Sequence, residues 1–108
     1  MAKYSDKRIP YSKQDKMWTD FCTLVANMKD IDEVKRFFKD LFNRQERIML
    51  CRRFHIAEML EQDMTYQEIG TAIGASPTTI ARIHKLLKFG RDGYKKAIKR
   101  KKKLKSKK

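Results

Sequence analysis

At 108 residues, 41% hydrophobic and 37% charged, the chain has the size and composition of one small folded domain, and disordered classes are excluded. Its 27 Lys plus Arg against 13 Asp plus Glu leave a net charge of +14, which favours a polyanionic partner, either nucleic acid or an acidic membrane surface. No run of 18 apolar residues is present to span a bilayer, and MAKYSDKRIPYSKQ lacks the apolar segment of a signal peptide, so a cytoplasmic protein without a membrane partner is expected.

The charge is unevenly distributed. Residues 95–108, KKAIKRKKKLKSKK, hold ten basic residues and no acid, so residues 1–94 carry 17 bases against 13 acids. Three segments follow: an N-terminal arm at 1–12 without clear periodicity, a helical domain at 13–94, and a Lys-rich tail at 95–108.

From about Lys13, Met17, Trp18, Phe21, Leu24, Val25 and Met28 recur with helical spacing and predict an amphipathic first helix. Asp30 is a candidate N-cap for a second helix, whose Ile31, Val34, Phe37, Phe38, Leu41 and Phe42 again share one face. A domain this small buries only about 60% of its extended surface. The natural cover for these two apolar faces is therefore a second copy of the chain, although folding back on the third helix would also serve.

NRQE at 43–46 fits a capping signal, with Asn43 at the cap and Glu46 three residues on, so a third helix runs from there to about Glu61. Apolar residues occupy more than half of its circumference, which predicts a central helix packed on several sides. Cys22 and Cys51 both fall within apolar helical patterns and are expected as reduced core thiols. Period-2 alternation and hairpin turn signals are missing, so the fold class is all-α, with about six helices.

The densest signal is MTYQEIGTAIGASPTTIARIHKLLK, residues 64–88. Thr65 and Glu68 form a T-x-x-E capping box that starts a short fourth helix, with Ile69, Ala72 and Ile73 inward. Gly74 suits the left-handed residue that ends it, and Ser76 with Pro77 supplies the N-cap and first turn of a fifth helix. Ile80, Ile83, Leu86 and Leu87 continue the apolar face, and Gly70 allows the two helices to approach closely. Two short helices joined by a glycine turn, with a small polar tip on the second, make a helix-turn-helix over about 65–87. An ordinary helical hairpin of a bundle is the competing reading.

A major groove admits one α-helix, and the N-terminal end of the second motif helix reaches base edges. Ser76, Thr78 and Thr79 are candidate hydrogen-bonding contacts to double-stranded DNA. Pro77, Thr78 and Ala81 can lie against thymine methyls, and Arg82 and Lys85 can reach guanine or phosphate. Tyr66 and Gln67, at the start of the fourth helix, are candidate phosphate contacts. A solvated helix face is the alternative for Arg82 and Lys85.

The block from LFNRQERIML through FGRDGY resembles the Trp repressor family, in particular its small TrpR-like branch of unsettled function, over roughly Trp18–Tyr94. The resemblance implies an intertwined two-fold dimer that presents two helix-turn-helix heads to successive major grooves. It also implies an effector site: Arg53 and Arg82 stand where the repressor's indole-sandwiching arginines stand. At that site Ile83 replaces a glycine, Leu86 a serine and Asn43 a threonine, so branched apolar side chains would fill the indole slot. DNA binding without tryptophan, and with no cofactor, is the resulting expectation for Asn43, Arg53, Arg82 and Leu86.

The tail can continue as helix through Ala97 and Ile98 and then end as a flexible polycation that lies along phosphate, or as a solvated extension. An enzyme would have to draw on Cys22, Cys51, His55 and His84. Cys51 and His55 at i, i+4 could present two metal ligands, but no C-x-x-C or H-E-x-x-H companion accompanies them, so neither metal nor catalysis is expected. The remaining rivals to a regulator are a non-specific or RNA-binding basic protein that uses the tail, and a polymerase-docking module of sigma-factor type.

Overall fold

The computed structural model describes residues 9–106 as six α-helices without a strand: α1 (Tyr11–Ala26), α2 (Ile31–Leu41), α3 (Arg44–Glu61), α4 (Tyr66–Ile73), α5 (Pro77–Phe89) and α6 (Gly93–Ser106). The helices group into two compact units, α1–α2 up to Asn43 and α3–α6 from Arg44 onward. Residues 1–8 of the expected N-terminal arm lie outside the described residues, and α1 starts two positions before Lys13.

In the first unit, Pro10 precedes α1, and its carbonyl accepts from the Lys13 and Gln14 N–H groups at 3.0 Å each. α1 ends where the Asn27 side chain donates back to the Thr23 carbonyl at 2.7 Å. Asp30 caps α2 as expected, its Oδ1 accepting from the Glu33 N–H at 3.0 Å. Asp32 and Glu33 in the first turn and Lys39 in the last complement the helix dipole. A chain of rings runs Trp18–Phe21–Phe37–Phe38–Phe42 with centroids 5.7–5.9 Å apart. Yet neither helix contains a buried residue: Trp18 is 63% exposed and Ile31 73%. Both apolar faces are thus present as expected, and both remain largely open.

The second unit holds the core. Ile56 and Ala57 of α3, Ile69 of α4, Ile80, Ile83 and Leu87 of α5 and Ile98 of α6 are buried together. α3 packs against α4, α5 and α6, which is the central role its sequence suggested. Only its second half is enclosed, since Ile48, Met49 and Leu50 remain exposed.

Three expectations are corrected. Leu86 is not on the inner face of α5; Ile80, Ile83 and Leu87 at i, i+3 and i+7 define that face, and Leu86 sits about 100° around from Leu87 and is half exposed. Ala72 likewise lies on the exposed side of α4, where Ile69 is fully buried and Ile73 partly so. Cys22 and Cys51 are free thiols, as expected, but both are exposed rather than in the core. Apolar periodicity marks which face is oily, and neither cysteine's face is covered in this chain.

The Lys-rich segment does not fray after Ile98. α6 continues to Ser106 and is tied to α3 across 43 positions of sequence, where Lys101 Nζ donates to Glu58 Oε1 at 2.9 Å. His55 Nδ1 stands 3.5 Å from the same carboxylate, and the Lys101 ammonium lies 5.6 Å from the centre of the Phe54 ring.

Candidate nucleic-acid interface

α4 begins with the capping box read from the sequence. Thr65 Oγ1 accepts from the Glu68 N–H at 3.1 Å, and Glu68 Oε1 accepts from the Thr65 N–H at 2.8 Å. That second bond, followed by the interaction with the Thr65 side chain, holds the Glu68 carboxyl below its ordinary value of 4.5. α4 ends at Gly74, which is left-handed at φ 71° and whose N–H donates to the Gly70 carbonyl at 2.8 Å. A Cβ on Gly70 would sit 3.3 Å from the Ala75 carbonyl, so the close approach there is to the turn itself, not to α5.

Ser76 caps α5 by accepting from the Thr79 N–H at 3.2 Å, and Pro77 occupies the first turn. The Ser76 and Thr79 hydroxyls are also 3.0 Å apart, so these two side chains brace each other. The Thr78 hydroxyl, between them, has no hydrogen-bond partner among the described residues, and the side chain is exposed at the tip.

All nine candidate DNA contacts are exposed: Tyr66, Gln67, Ser76, Pro77, Thr78, Thr79, Ala81, Arg82 and Lys85. The motif brings them onto one rigid α4–turn–α5 element over the buried Ile69, Ile80 and Ile83. Arg82 and Lys85 have no ion pair among the described residues, which leaves both charges available to a polyanion. Tyr66 is less free than its sequence position suggested. Its hydroxyl is 2.8 Å from His84 Nδ1, and the two rings meet edge to face at 5.7 Å. His84 therefore joins the site as a brace between the start of α4 and the outer side of α5. No periodic signal could have flagged a pair 18 positions apart.

Of the residues assigned to an effector, Arg53, Arg82 and Leu86 lie in the second unit. Arg53 and Arg82 are both exposed, and Ile83 between α5 and the core is only 3% exposed. Leu86 lines a surface groove of about 730 Å³ with Phe54, Phe89, Arg91 and Tyr94, but neither Arg53 nor Arg82 borders it. Asn43 belongs to the first unit. Cys51 and His55 line a separate shallow groove with Arg47 and Arg52, and no group of three His, Cys, Asp or Glu side chains suited to a metal occurs among the described residues.

The Trp repressor protein model matches residues 16–102. The chain belongs to the Trp repressor family. This is a class of helix-turn-helix DNA-binding regulators, and the family match spans α2–α5 completely and most of α1 and α6. Among relatives, the chain is 40% identical over 76 residues to the uncharacterized protein YerC of Bacillus subtilis (strain 168), covering 70% of this chain and 73% of that one. Two solved family structures are similar. A TrpR-like protein from Eubacterium eligens ATCC 27750 superposes with a TM-score of 0.67 at 32% identity, over 88% of this chain and 94% of its own. A Staphylococcus aureus protein, itself named only provisionally as a Trp repressor, gives a TM-score of 0.71 at 26% identity, over 93% and 96% of the two chains. No helix among the described residues is long and apolar enough to cross a membrane.

Proposed function

We propose that this Trp repressor family member is a dimeric transcriptional regulator that reads double-stranded DNA with the N-terminal end of α5 and needs no tryptophan to do so. The observation that carries the reading is the tip of α5. Ser76–Thr79 form a braced, exposed, small-residue end on a helix whose opposite face is fully buried, followed by unpaired Arg82 and Lys85. Small side chains let the helix approach base edges closely, and the hydroxyls of Thr78 and Thr79 can both donate and accept there. Tyr66 and Gln67 at the start of α4 fit backbone phosphate, with Tyr66 held by His84.

The two-fold partner is supported by α1, α2 and the Phe42 that follows, which line up five aromatic rings, none of them fully buried within one chain. An apolar face of that kind in a domain this small calls for a second copy. Independence from tryptophan is supported by Ile83. Where the family's indole site needs a glycine, this chain has a branched side chain packed into the core at 3% exposure, and enclosing a planar indole would require moving it.

Selection of bound sites from random duplex DNA at about 150 mM salt tests the reading. Enrichment of a two-fold-related sequence, unchanged by added tryptophan, is the expected result. Recovery of no preferred sequence would overturn it in favour of the non-specific basic protein.

A further inference from the structure

α6 is more ordered than a basic tail needs to be, and its lysines are not equivalent. Tyr94, Ile98 and Lys101, at i, i+4 and i+7, are the positions turned toward α3 and α5: Ile98 is 5% exposed, and Lys101 is spent on Glu58 and Phe54. Advancing that pattern by one and by two positions gives Lys95, Lys99, Lys102 and Lys96, Arg100, Lys103. All six are exposed, have no ion pair among the described residues, and fall in two adjacent rows along the outer side of a 14-residue helix. At about 1.5 Å per residue the helix is ~20 Å long, enough to run beside several phosphates of one duplex strand, spaced ~3.4 Å along the axis.

We propose that the outer face of α6 is a rigid phosphate-binding surface that grips the duplex backbone beside the half-site read by α5, with Lys101 serving as its anchor and not as a contact. This rests on the DNA-binding reading above. Six cations in two rows on one helix would otherwise repel one another, since like charges at i and i+4 destabilise a helix, and a polyanion is the partner that removes that repulsion. Because α6 is fixed to the same core as α5, the rows keep a set position relative to the motif. They add affinity without adding sequence preference.

The salt dependence of binding separates the residues. For the full chain, the logarithm of affinity for a duplex selected as above should fall with log salt more steeply, by about five, than for a variant carrying Gln at 95, 96, 99, 100, 102 and 103, since each phosphate contact contributes ~0.9. Between 50 and 200 mM that amounts to about a 10³-fold difference. Gln keeps the helix propensity of Lys, and an unchanged circular dichroism spectrum verifies that α6 survives. Singly, Lys99→Gln should lower the slope by ~0.9 and Lys101→Gln should leave it unchanged. An unaltered slope in the six-site variant, or equal slopes for the two single variants, would overturn the proposal while leaving site-specific binding intact. Absence of any duplex binding by the full chain would instead remove the reading on which it rests.

Discussion

At the scale of single residues the glycines of this chain do different jobs, and their replacement by alanine sorts them. Gly90 has an ordinary φ, but an added Cβ would collide with the Leu86 backbone carbonyl, which the chain can relieve only by moving the α5–α6 link. Gly74 has open space around it and a φ of 71°, so its cost is conformational alone, about 1 kcal/mol. Gly70 sits inside α4, where alanine gains about 0.5–1 kcal/mol of helix preference against a tight contact to Ala75. Urea midpoints should therefore fall in the order Gly90→Ala most, Gly74→Ala next, Gly70→Ala least, with the slopes of unfolding unchanged. Ser76 and Thr78 separate similarly. Ser76→Ala removes a cap and should cost about 1 kcal/mol of stability. Thr78→Ala touches no partner in the fold, so its melting temperature should match the parent while preference for the selected DNA site falls.

At the scale of elements, α4 is held at its start by the Thr65–Glu68 box and at its end by Gly74, with Ile69 its one fully buried side chain. An eight-residue helix is too short to persist without such restraints. The box carries a pH signature. The Glu68 carboxyl is held below its ordinary value of 4.5 by the Thr65 N–H, so the stabilisation is complete above that value and disappears as pH falls through the lower folded one. Acid titration of stability should thus show a loss below 4.5 that Glu68→Gln abolishes, measured as the difference in urea midpoint between the two proteins across pH. Most of this element was legible beforehand because capping and turn chemistry are local: Thr65, Glu68, Gly74, Ser76 and Pro77 each act within four residues of themselves. What local chemistry could not supply was the outward position of Leu86 and Ala72. Both belong to the oily side of their helices, and which part of that side is covered depends on the width of the neighbouring helices.

At the scale of the molecule, the buried core of the described residues lies in α3–α6, whereas α1 and α2 carry a five-ring aromatic cluster ending at Phe42 and no buried residue. If a second copy covers that cluster, a charge placed in it breaks the assembly without touching the core. Trp18→Glu should shift sedimentation equilibrium toward monomer and lower the affinity for a two-fold site, while the far-ultraviolet helical signal of α3–α6 persists. The overall charge works at this scale as well. Its concentration in residues 95–108, away from the near-balanced first 94 residues, places most of the salt-sensitive attraction to a polyanion on one segment of the chain.

Sequence alone determined the helices, the capping box, the glycine turn, the Ser-Pro start of α5 and the family, because each depends on neighbours a few positions apart or on a linear motif. It misjudged the cysteines and the end of α6, and it could not reach the Tyr66–His84 and Glu58–Lys101 pairs. Those are contacts between side chains 18 and 43 positions apart, and nothing short of packing α3, α4, α5 and α6 around Ile56, Ile69, Ile80 and Ile98 brings them together. Tertiary structure alone therefore decided that Tyr66 is braced, and that Lys101 of the basic run is an anchor while Lys95, Lys96, Lys99, Arg100, Lys102 and Lys103 face outward.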